Sequence, residues 1–393
     1  MQSHFSCFLA RAAVGMYCVL ASFAQAAPAS LDVDPIFPAY GQDIALQLSN
    51  VGPAPYLPAT RYQVKGSSIT LDIEHVAGGY FGWPANVGYM PTSVGELAPG
   101  TYSLQARLYD IGDPTAQPLL FTRTFDVAPP DRKGVYAVPR NPGAYEGTRL
   151  AVVADGPIDA SSLRATVNGF TIRVDFDFAS DPAARPYASV AVPGLAPGAY
   201  RVEAYGSRKN VTAPPLRYDG TFAVAMTTSI VEYYSVGLDH YLISAWPDEV
   251  ALVDADGSSF KRTGQGFKAW LRAADAPAAA VPVCRFYATG PNSHFYTSDG
   301  GECQYLKSLE QKQKAEAVAK GQTFRGWQFE SIAFYALAPV NGACDAGSRA
   351  IYRTYNNRAA QEDSNHRFIA QERLRDGLPT GWAVEGVAFC SPL

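Results

Sequence analysis

Three histidines occur at matching places in the last third of the chain, and each opens a short apolar segment. The segments read His240-Tyr-Leu-Ile-Ser, His294-Phe-Tyr-Thr-Ser and His366-Arg-Phe-Ile-Ala. Three imidazoles that converge on one axis would form a metal site with an open fourth position. The alternative is that each ring fixes a tight turn by hydrogen bonds, repeated because the fold is repeated. We favour the structural role, then ligand contact, and predict no metal and no cofactor.

Polar turn residues and recurring aromatic residues surround these histidines. Loops on a rigid scaffold carry binding contacts, and aromatic platforms stack on sugar rings while amides bond the hydroxyls. The Trp of each Gly-Trp pair, Trp327 and Trp382, is better explained by core packing. The predicted ligand-binding residues are His240, His294, His366, Asn292, Tyr296, Asn356 and Asn365. The predicted partner is an extracellular glycan or cell-envelope polymer.

Two glutamates, Glu330 and Glu385, repeat after the Gly-Trp pairs and could form the paired carboxylates of a glycosidase. They stand inside apolar segments of separate repeats, which favours a bond from each to its own repeat's turn. The chain contains neither GxSxG nor HExxH, the signatures of serine hydrolases and metalloproteases. We therefore predict a non-catalytic binding or accessory protein. The alternatives are a protein-binding adhesive surface module and a hydrolase with its site in the repeats.

A unit of strand, strand, helix and strand positions these residues, and it occurs three times within residues 227–393. The aromatic-rich strand pairs fall in Val231–Ser244, Arg285–Glu302 and Ile351–Ala370, and the closing segments begin at Gly266, Gly326 and Gly381. The middle helix is predicted over Glu302–Lys320, with Gly321 as its C-terminal cap. Shorter helices are predicted over Asp248–Ala255 and Gln371–Asp376. Because one short repeat cannot bury its own apolar face, we expect the three to pack with pseudo-three-fold closure.

Four cysteines remain once the predicted leader is removed, and all lie in the repeats. They are Cys284, Cys303, Cys344 and Cys390. An even number in an exported chain predicts disulfides, for which three pairings are possible. We favour Cys284–Cys303 and Cys344–Cys390, because each then ties the ends of one repeat and stabilises it by roughly 3 to 4 kcal/mol. A zinc site is disfavoured because no CxxC spacing occurs.

The region before the repeats contains a tandem duplication. Leu97–Tyr102 matches Leu195–Tyr200, both reading Leu-Ala-Pro-Gly-X-Tyr, at an offset close to that between Thr124–Val127 and Thr221–Val224. Short segments of alternating polarity, separated by turn residues, are typical of half-buried strands. A period of about 97 residues is the size of one immunoglobulin-like sandwich. The fold class is thus predicted as mainly β, with immunoglobulin-like domains at 30–128 and 129–226 before the repeats.

The N-terminal segment predicts export. Residues 1–26 combine Arg11, an apolar run and the small-residue site Ala24-Gln-Ala26, which is typical of a secretory signal peptide. No later run reaches the roughly 18 apolar residues of a membrane span. The net charge of −4 with no basic cluster disfavours nucleic acid as a partner. We expect a secreted protein, periplasmic or extracellular.

The motifs of the repeats resemble the DUF5648 repeat family. They include Cys284-Arg-Phe-Tyr, Asn292-Ser-His-Phe-Tyr-Thr, Gly326-Trp and Glu385-Gly-Val-Ala-Phe-Cys390. Modules of this family occur at the C-termini of exported bacterial proteins, some of them attached to peptidases or glycoside hydrolases. The resemblance covers Ile230–Leu393 and implies an accessory role without a mechanism. The first copy departs from the pattern, since it lacks cysteine and has Gly266-Phe where the others have Gly-Trp.

Overall fold

The computed structural model describes residues 30–36, 38–49, 60–75, 91–110, 115–208, 211–255 and 257–393. The predicted leader at 1–26 lies outside them. Within the described residues the protein is mainly β, with several sheets and three α-helices. No helix in the described part is long and apolar enough to cross a membrane.

Seven strands among the described residues between 30 and 127 form two sheets around one core. They are β1 (Ser30–Asp34), β2 (Asp43–Ser49), β3 (Thr60–Lys65), β4 (Ser68–His75), β5 (Thr92–Glu96), β6 (Gly100–Asp110) and β7 (Leu119–Val127). One sheet has the order β1-β2-β5, and β3-β4-β6-β7 lie together in the other. Ile44, Leu46 and Leu48 of β2 are fully buried and alternate with more exposed residues, the period of two that was predicted.

The next seven strands repeat this arrangement. They are β8 (Gly134–Val138), β9 (Thr148–Val153), β10 (Arg164–Asn168), β11 (Thr171–Asp177), β12 (Tyr187–Val192), β13 (Gly198–Ser207) and β14 (Leu216–Val224). Their sheets have the orders β8-β9-β12 and β10-β11-β13-β14. The duplicated Pro-Gly motif makes the same hydrogen bond in both regions. The hydroxyls of Tyr102 and Tyr200 donate to the carbonyls of Ala98 and Ala196 at 2.9 and 3.0 Å.

Each region contains a parallel pair of strands, whereas the sheets of an immunoglobulin sandwich are antiparallel. Strand β4 pairs with β6 in parallel, and β11 pairs with β13 in parallel. The intervening strand, β5 or β12, belongs to the opposite sheet, so the chain crosses over and re-enters the first sheet in the same direction.

The C-terminal module consists of three units with the same order of elements. Unit 1 contains β15 (Thr228–Ser235), β16 (His240–Ser244), α1 (Pro247–Asp254) and β17 (Phe260–Ala269). Unit 2 contains β18 (Ala280–Ala288), β19 (Ser293–Thr297), α2 (Gly300–Ala319) and β20 (Trp327–Leu337). Unit 3 contains β21 (Ser348–Tyr355), β22 (His366–Ile369), α3 (Glu372–Asp376) and β23 (Ala383–Pro392). In each unit the first strand pairs with the second on one side and with the last on the other.

One phenylalanine from the last strand of each unit meets the other two in the core. The ring centroids of Phe267, Phe334 and Phe389 lie 5.4 to 5.8 Å apart, and the three side chains are buried. Each is paired across the sheet with a buried aliphatic residue of its own unit, and these partners are Ile230, Val283 and Ile351. The three units therefore share one hydrophobic core.

This register corrects the predicted alignment of the closing segments. Ser235 is paired with Phe260 in unit 1, as Ala288 is paired with Trp327 in unit 2. The counterpart of Trp327 is therefore Phe260, and the segment that begins at Gly266 lies further along the strand. Phe267, the residue after Gly266, faces the shared core.

Two disulfides join the predicted pairs. Cys284–Cys303 links β18 to the first turn of α2, and Cys344–Cys390 links the segment before β21 to β23. Helix α2 begins at Gly300, where Asp299 accepts a bond from the Glu302 amide at 2.7 Å. The first bridge therefore fixes the start of this helix against the sheet.

The module contacts both preceding regions. Arg262 of β17 is paired with Tyr62 of β3, so one seven-stranded sheet runs from the first region into unit 1. Gln63 donates to the carbonyl of Asp254 at 2.8 Å, and Glu146 accepts from the Ser229 amide.

Candidate functional site

The three histidines do not occupy one position. The tyrosine of each first strand lies opposite an aromatic residue of the second strand, with ring centroids 4.7 to 4.9 Å apart. The pairs are Tyr234 with Tyr241, Tyr287 with His294 and Tyr355 with His366. His294 and His366 are thus equivalent, while His240 precedes Tyr241 and corresponds to Ser293 and Asn365. The prediction of three equivalent histidines is wrong for His240.

His240 is a buried link between units. It is 2% exposed, with Nδ1 at 3.0 Å from the Asn292 carbonyl oxygen and Nε2 at 2.7 Å from Asp363 Oδ1. Its counterpart Asn365 is buried as well and donates to the Asp239 carbonyl at 2.6 Å. Both predicted ligand-binding residues are therefore buried and form hydrogen bonds between neighbouring units.

His294 and His366 are held as neutral rings. Burial, together with the nearby arginines, lowers the pKa of His294 to about 4 and that of His366 to about 3. Their Nε2 atoms lie 3.5 and 3.6 Å from Glu330 and Glu385. No group of three or more metal-binding side chains gathers anywhere in the described ranges.

Two more predicted ligand contacts are internal. Tyr296 is 1% exposed and donates from its hydroxyl to the Ile243 carbonyl at 2.7 Å. Asn356 is buried, accepts from the Asn365 amide at 3.0 Å and donates to the Asp363 carbonyl at 2.7 Å. The hydroxyl of Tyr296 and the side-chain amide of Asn356 therefore both have hydrogen-bond partners inside the module. Among the predicted residues Asn292 is exposed, and its side-chain oxygen accepts from the Tyr287 hydroxyl at 2.6 Å.

Two arginines that the sequence analysis did not select organise the surface at the unit boundaries. Arg285 and Arg353 lie two residues before the stacked tyrosines, and each bridges two glutamates. One glutamate comes from the last strand of the same unit, and the other from the helix of the preceding unit. We call Glu249, Arg285 and Glu330 junction cluster 1–2, and Glu302, Arg353 and Glu385 junction cluster 2–3.

The two junction clusters have matching geometry. Arg285 Nη1 lies 2.7 Å from Glu249, and its Nε lies 2.8 Å from Glu330. Arg353 Nη1 lies 2.9 Å from Glu302, and its Nε lies 2.8 Å from Glu385. In both, burial lowers the pKa of the guanidinium, but the neighbouring carboxylates, with Tyr296 at Arg285, raise it above its ordinary value. Each arginine is therefore a fixed cation between two carboxylates.

The third junction is built differently. Glu232 stands where the others have arginine, and it forms a buried pair at 2.8 Å with Arg367 of unit 3. Thr263 also donates to Glu232 at 2.7 Å. Buried Leu374 replaces the helix glutamate. This junction has an internal ion pair in place of a solvent-facing cluster.

A cleft of about 400 Å³ opens beside junction cluster 2–3. Asp299, Glu302, Glu385 and Arg353 line it together with residues 386–388 of β23. Three carboxylates against one guanidinium leave an excess of two negative charges. The sequence signal for this site was an arginine two residues before the stacked tyrosine, in Arg285-Phe-Tyr287 and Arg353-Thr-Tyr355. Unit 1 does not share it, because Glu232 occupies the arginine position.

Comparison with known families matches residues 229–392 to the family described as "Domain of unknown function (DUF5648)". Comparisons with curated proteins and with solved structures gave no match. The matched range covers less than half of the chain and contains both junction clusters and both disulfides. The C-terminal module is therefore similar to DUF5648, a family whose description carries no activity.

Proposed function

We propose that this is a secreted, non-catalytic binding protein whose C-terminal module holds an extracellular glycan or envelope polymer. The observation that carries the proposal is the polar cleft beside junction cluster 2–3. Its volume of about 400 Å³ lies in the range of small-ligand sites. Its walls come from α2 of unit 2 and from β21 and β23 of unit 3, so a rigid scaffold supports them.

The fixed carboxylates suit hydroxyl-rich ligands. Glu302 and Glu385 are both bonded to Arg353, so their conformations are restrained before a ligand arrives. Binding then costs less side-chain entropy than it would with free side chains. Hydrogen bonds from sugar hydroxyls to a carboxylate are charge-assisted and stronger than those between neutral groups.

The charge of the cleft selects among polymers. An excess of two negative charges in a partly enclosed space repels phosphate and uronate groups. Neutral or amine-bearing sugars meet no such repulsion. We therefore assign the ligand to the neutral or amine-bearing glycans.

We infer a supporting architecture for this site. The shared phenylalanine contact and the matching unit order support a pseudo-three-fold ring for the module. The hydroxyl bonds of Tyr102 and Tyr200 resemble the tyrosine corner of immunoglobulin-like domains, which supports two such domains as spacers. Two disulfides support an oxidising location, periplasmic or extracellular.

A hydrolase at the same cleft has less support. A glycosidase needs one protonated and one ionised carboxyl group. Glu302 and Glu385 both accept hydrogen bonds from Arg353, so their surroundings do not distinguish an acid from a base. The pair is better suited to accepting hydrogen bonds from sugar hydroxyls.

The test is calorimetric titration of the whole mature protein at low ionic strength. The probes are glucosamine, N-acetylglucosamine and galacturonate hexamers. We expect binding of an amine-bearing or neutral hexamer, none of the galacturonate hexamer, and a loss of tenfold or more with Glu385→Gln. The control is Glu316→Gln, at the far end of α2. Preference for the galacturonate hexamer, or silence with all three probes and on a broad glycan array, would refute the proposal.

A further inference from the structure

We infer that junction cluster 1–2 is a second glycan-binding site, and that the module therefore binds two glycan segments. This inference rests on the proposed function of the cleft at junction cluster 2–3. It concerns a part of the surface, between units 1 and 2, that the cleft does not reach.

Corresponding atoms make the corresponding bonds at the two junctions. In both clusters the Nη1 atom of the arginine bonds the glutamate of the preceding helix, and the Nε atom bonds the glutamate of its own last strand. The side chains of the strand glutamates are exposed to nearly the same extent, 30% and 31%. The carboxylates of the proposed site at one junction are therefore reproduced at the other.

The two sites differ at the residue that caps the helix. Asp299 caps α2 at junction 2–3, whereas Trp246 precedes α1 at junction 1–2. Trp246 is partly buried against the shared core, which holds the indole in place while leaving part of it exposed. A partly exposed aromatic ring at the start of this helix can stack on a sugar face. Site 1–2 also has one carboxylate fewer, so it depends less on an amine in the ligand.

The third junction has no equivalent site. The arginine position is Glu232, which is buried with Arg367, and the helix glutamate is replaced by Leu374. Gln371, at the capping position, donates to Gln265 across the junction at 2.8 Å. At the third junction these positions therefore form hydrogen bonds within the protein, whereas the equivalent carboxylates at the other two junctions face solvent.

Two sites on one rigid module bind a polymer differently from a short oligomer. Once one segment of a chain is bound, the second site meets further segments at high effective concentration. The module is thereby suited to a long repeating polymer or to linking two chains.

The stoichiometry of binding tests the inference. The whole mature protein is titrated calorimetrically with glucosamine trimer and, separately, N-acetylglucosamine trimer, each short enough to report single sites. We expect two sites per chain in the unmodified protein and in Glu316→Gln. Glu330→Gln and Glu385→Gln should each leave one site, and the double variant none. Trp246→Leu provides a second probe of site 1–2 if Glu330→Gln fails to fold, and it should also leave one site.

The outcomes separate this inference from the proposed function. One site per chain that is lost in Glu385→Gln but unchanged in Glu330→Gln and Trp246→Leu would overturn the second site and leave the first. Three binding sites per chain would contradict the statement that the third junction has no equivalent site. Absence of binding in the unmodified protein would overturn the proposed function itself.

Discussion

The buried pair of Glu232 and Arg367 provides the sharpest test of how the module closes. Glu232 belongs to unit 1 and Arg367 to unit 3, so the pair spans the junction between the first and last units. Their side chains are only 2% and 3% exposed, and two hydrogen bonds of 2.8 and 2.9 Å join them. Arg367 also lies over the ring of Tyr241 at 4.4 Å. Removing one charge would leave the other without a partner in a dry interior.

We expect Glu232→Gln to lower the free energy of unfolding of the module by about 3 to 5 kcal/mol, the cost of breaking a buried ion pair. Replacing both residues, as in Glu232→Leu with Arg367→Leu, should cost much less, because no unpaired charge remains. The matched control is the exposed pair of Arg325 and Glu362, where Glu362→Gln should cost about 0 to 1 kcal/mol.

Tryptophan fluorescence during urea unfolding measures the stability of the C-terminal module. Four of the five tryptophans, Trp246, Trp270, Trp327 and Trp382, belong to the module. A double-mutant cycle then separates the coupling energy of the pair from the effect of each single change. A loss of less than about 1 kcal/mol for Glu232→Gln would refute the view that this pair is buried and closes the module.

Three further predictions concern the same module. Replacing Cys284 and Cys303 together by serine should cost roughly 3 kcal/mol in unfolding experiments, since the bridge closes a loop of 19 residues; an unchanged urea midpoint would contradict this. Because burial lowers the pKa of His294 and His366 to about 4 and 3, the unfolded rings bind protons below about pH 6.5 while the folded rings do not. Stability should therefore fall as the pH decreases from about 6.5 to 4, and His366→Phe, which keeps the ring stacking, should make that fall shallower in thermal unfolding across this range; an identical pH profile would count against a buried neutral ring. Ser293→Ala should change stability by less than about 0.5 kcal/mol, because its buried hydroxyl lacks a partner among the described residues, whereas Asn365→Ala at the equivalent position should cost about 1 to 3 kcal/mol. Equal losses for the last two variants, measured by urea unfolding, would contradict this difference in hydrogen bonding.

Local patterns predicted much of the fold because each depends on near neighbours. The alternation of Asp43–Ser49 follows from the period of a half-buried strand, and the sheet bears it out. Helix α2 was predicted two residues late, since Asp299 caps it from a turn that has little apolar periodicity. The parallel pairs of β4 with β6 and β11 with β13 were not predicted, because strand order depends on contacts far apart in the chain.

The candidate site was predicted less well, and the reason lies in register. Matching the repeats by their histidines placed His240 with His294, one residue away from the pairing in the sheet. In a strand a shift of one residue exchanges the two faces, so this match misplaced every side chain of β16. The stacked tyrosines Tyr234, Tyr287 and Tyr355 are the better reference points, because their ring contacts recur in all three units.

The sequence by itself determined the three-unit order, the alternating strands and the preferred cysteine pairing, since each is encoded in spacing along the chain. Only the tertiary structure decided which charges meet. Arg285 and Arg353 bond one glutamate of a neighbouring unit and one of their own, and Arg367 of unit 3 bonds Glu232 of unit 1, at sequence separations of 32 to 135 residues. No local propensity specifies such contacts, because they form only when the packing of the units brings distant side chains together.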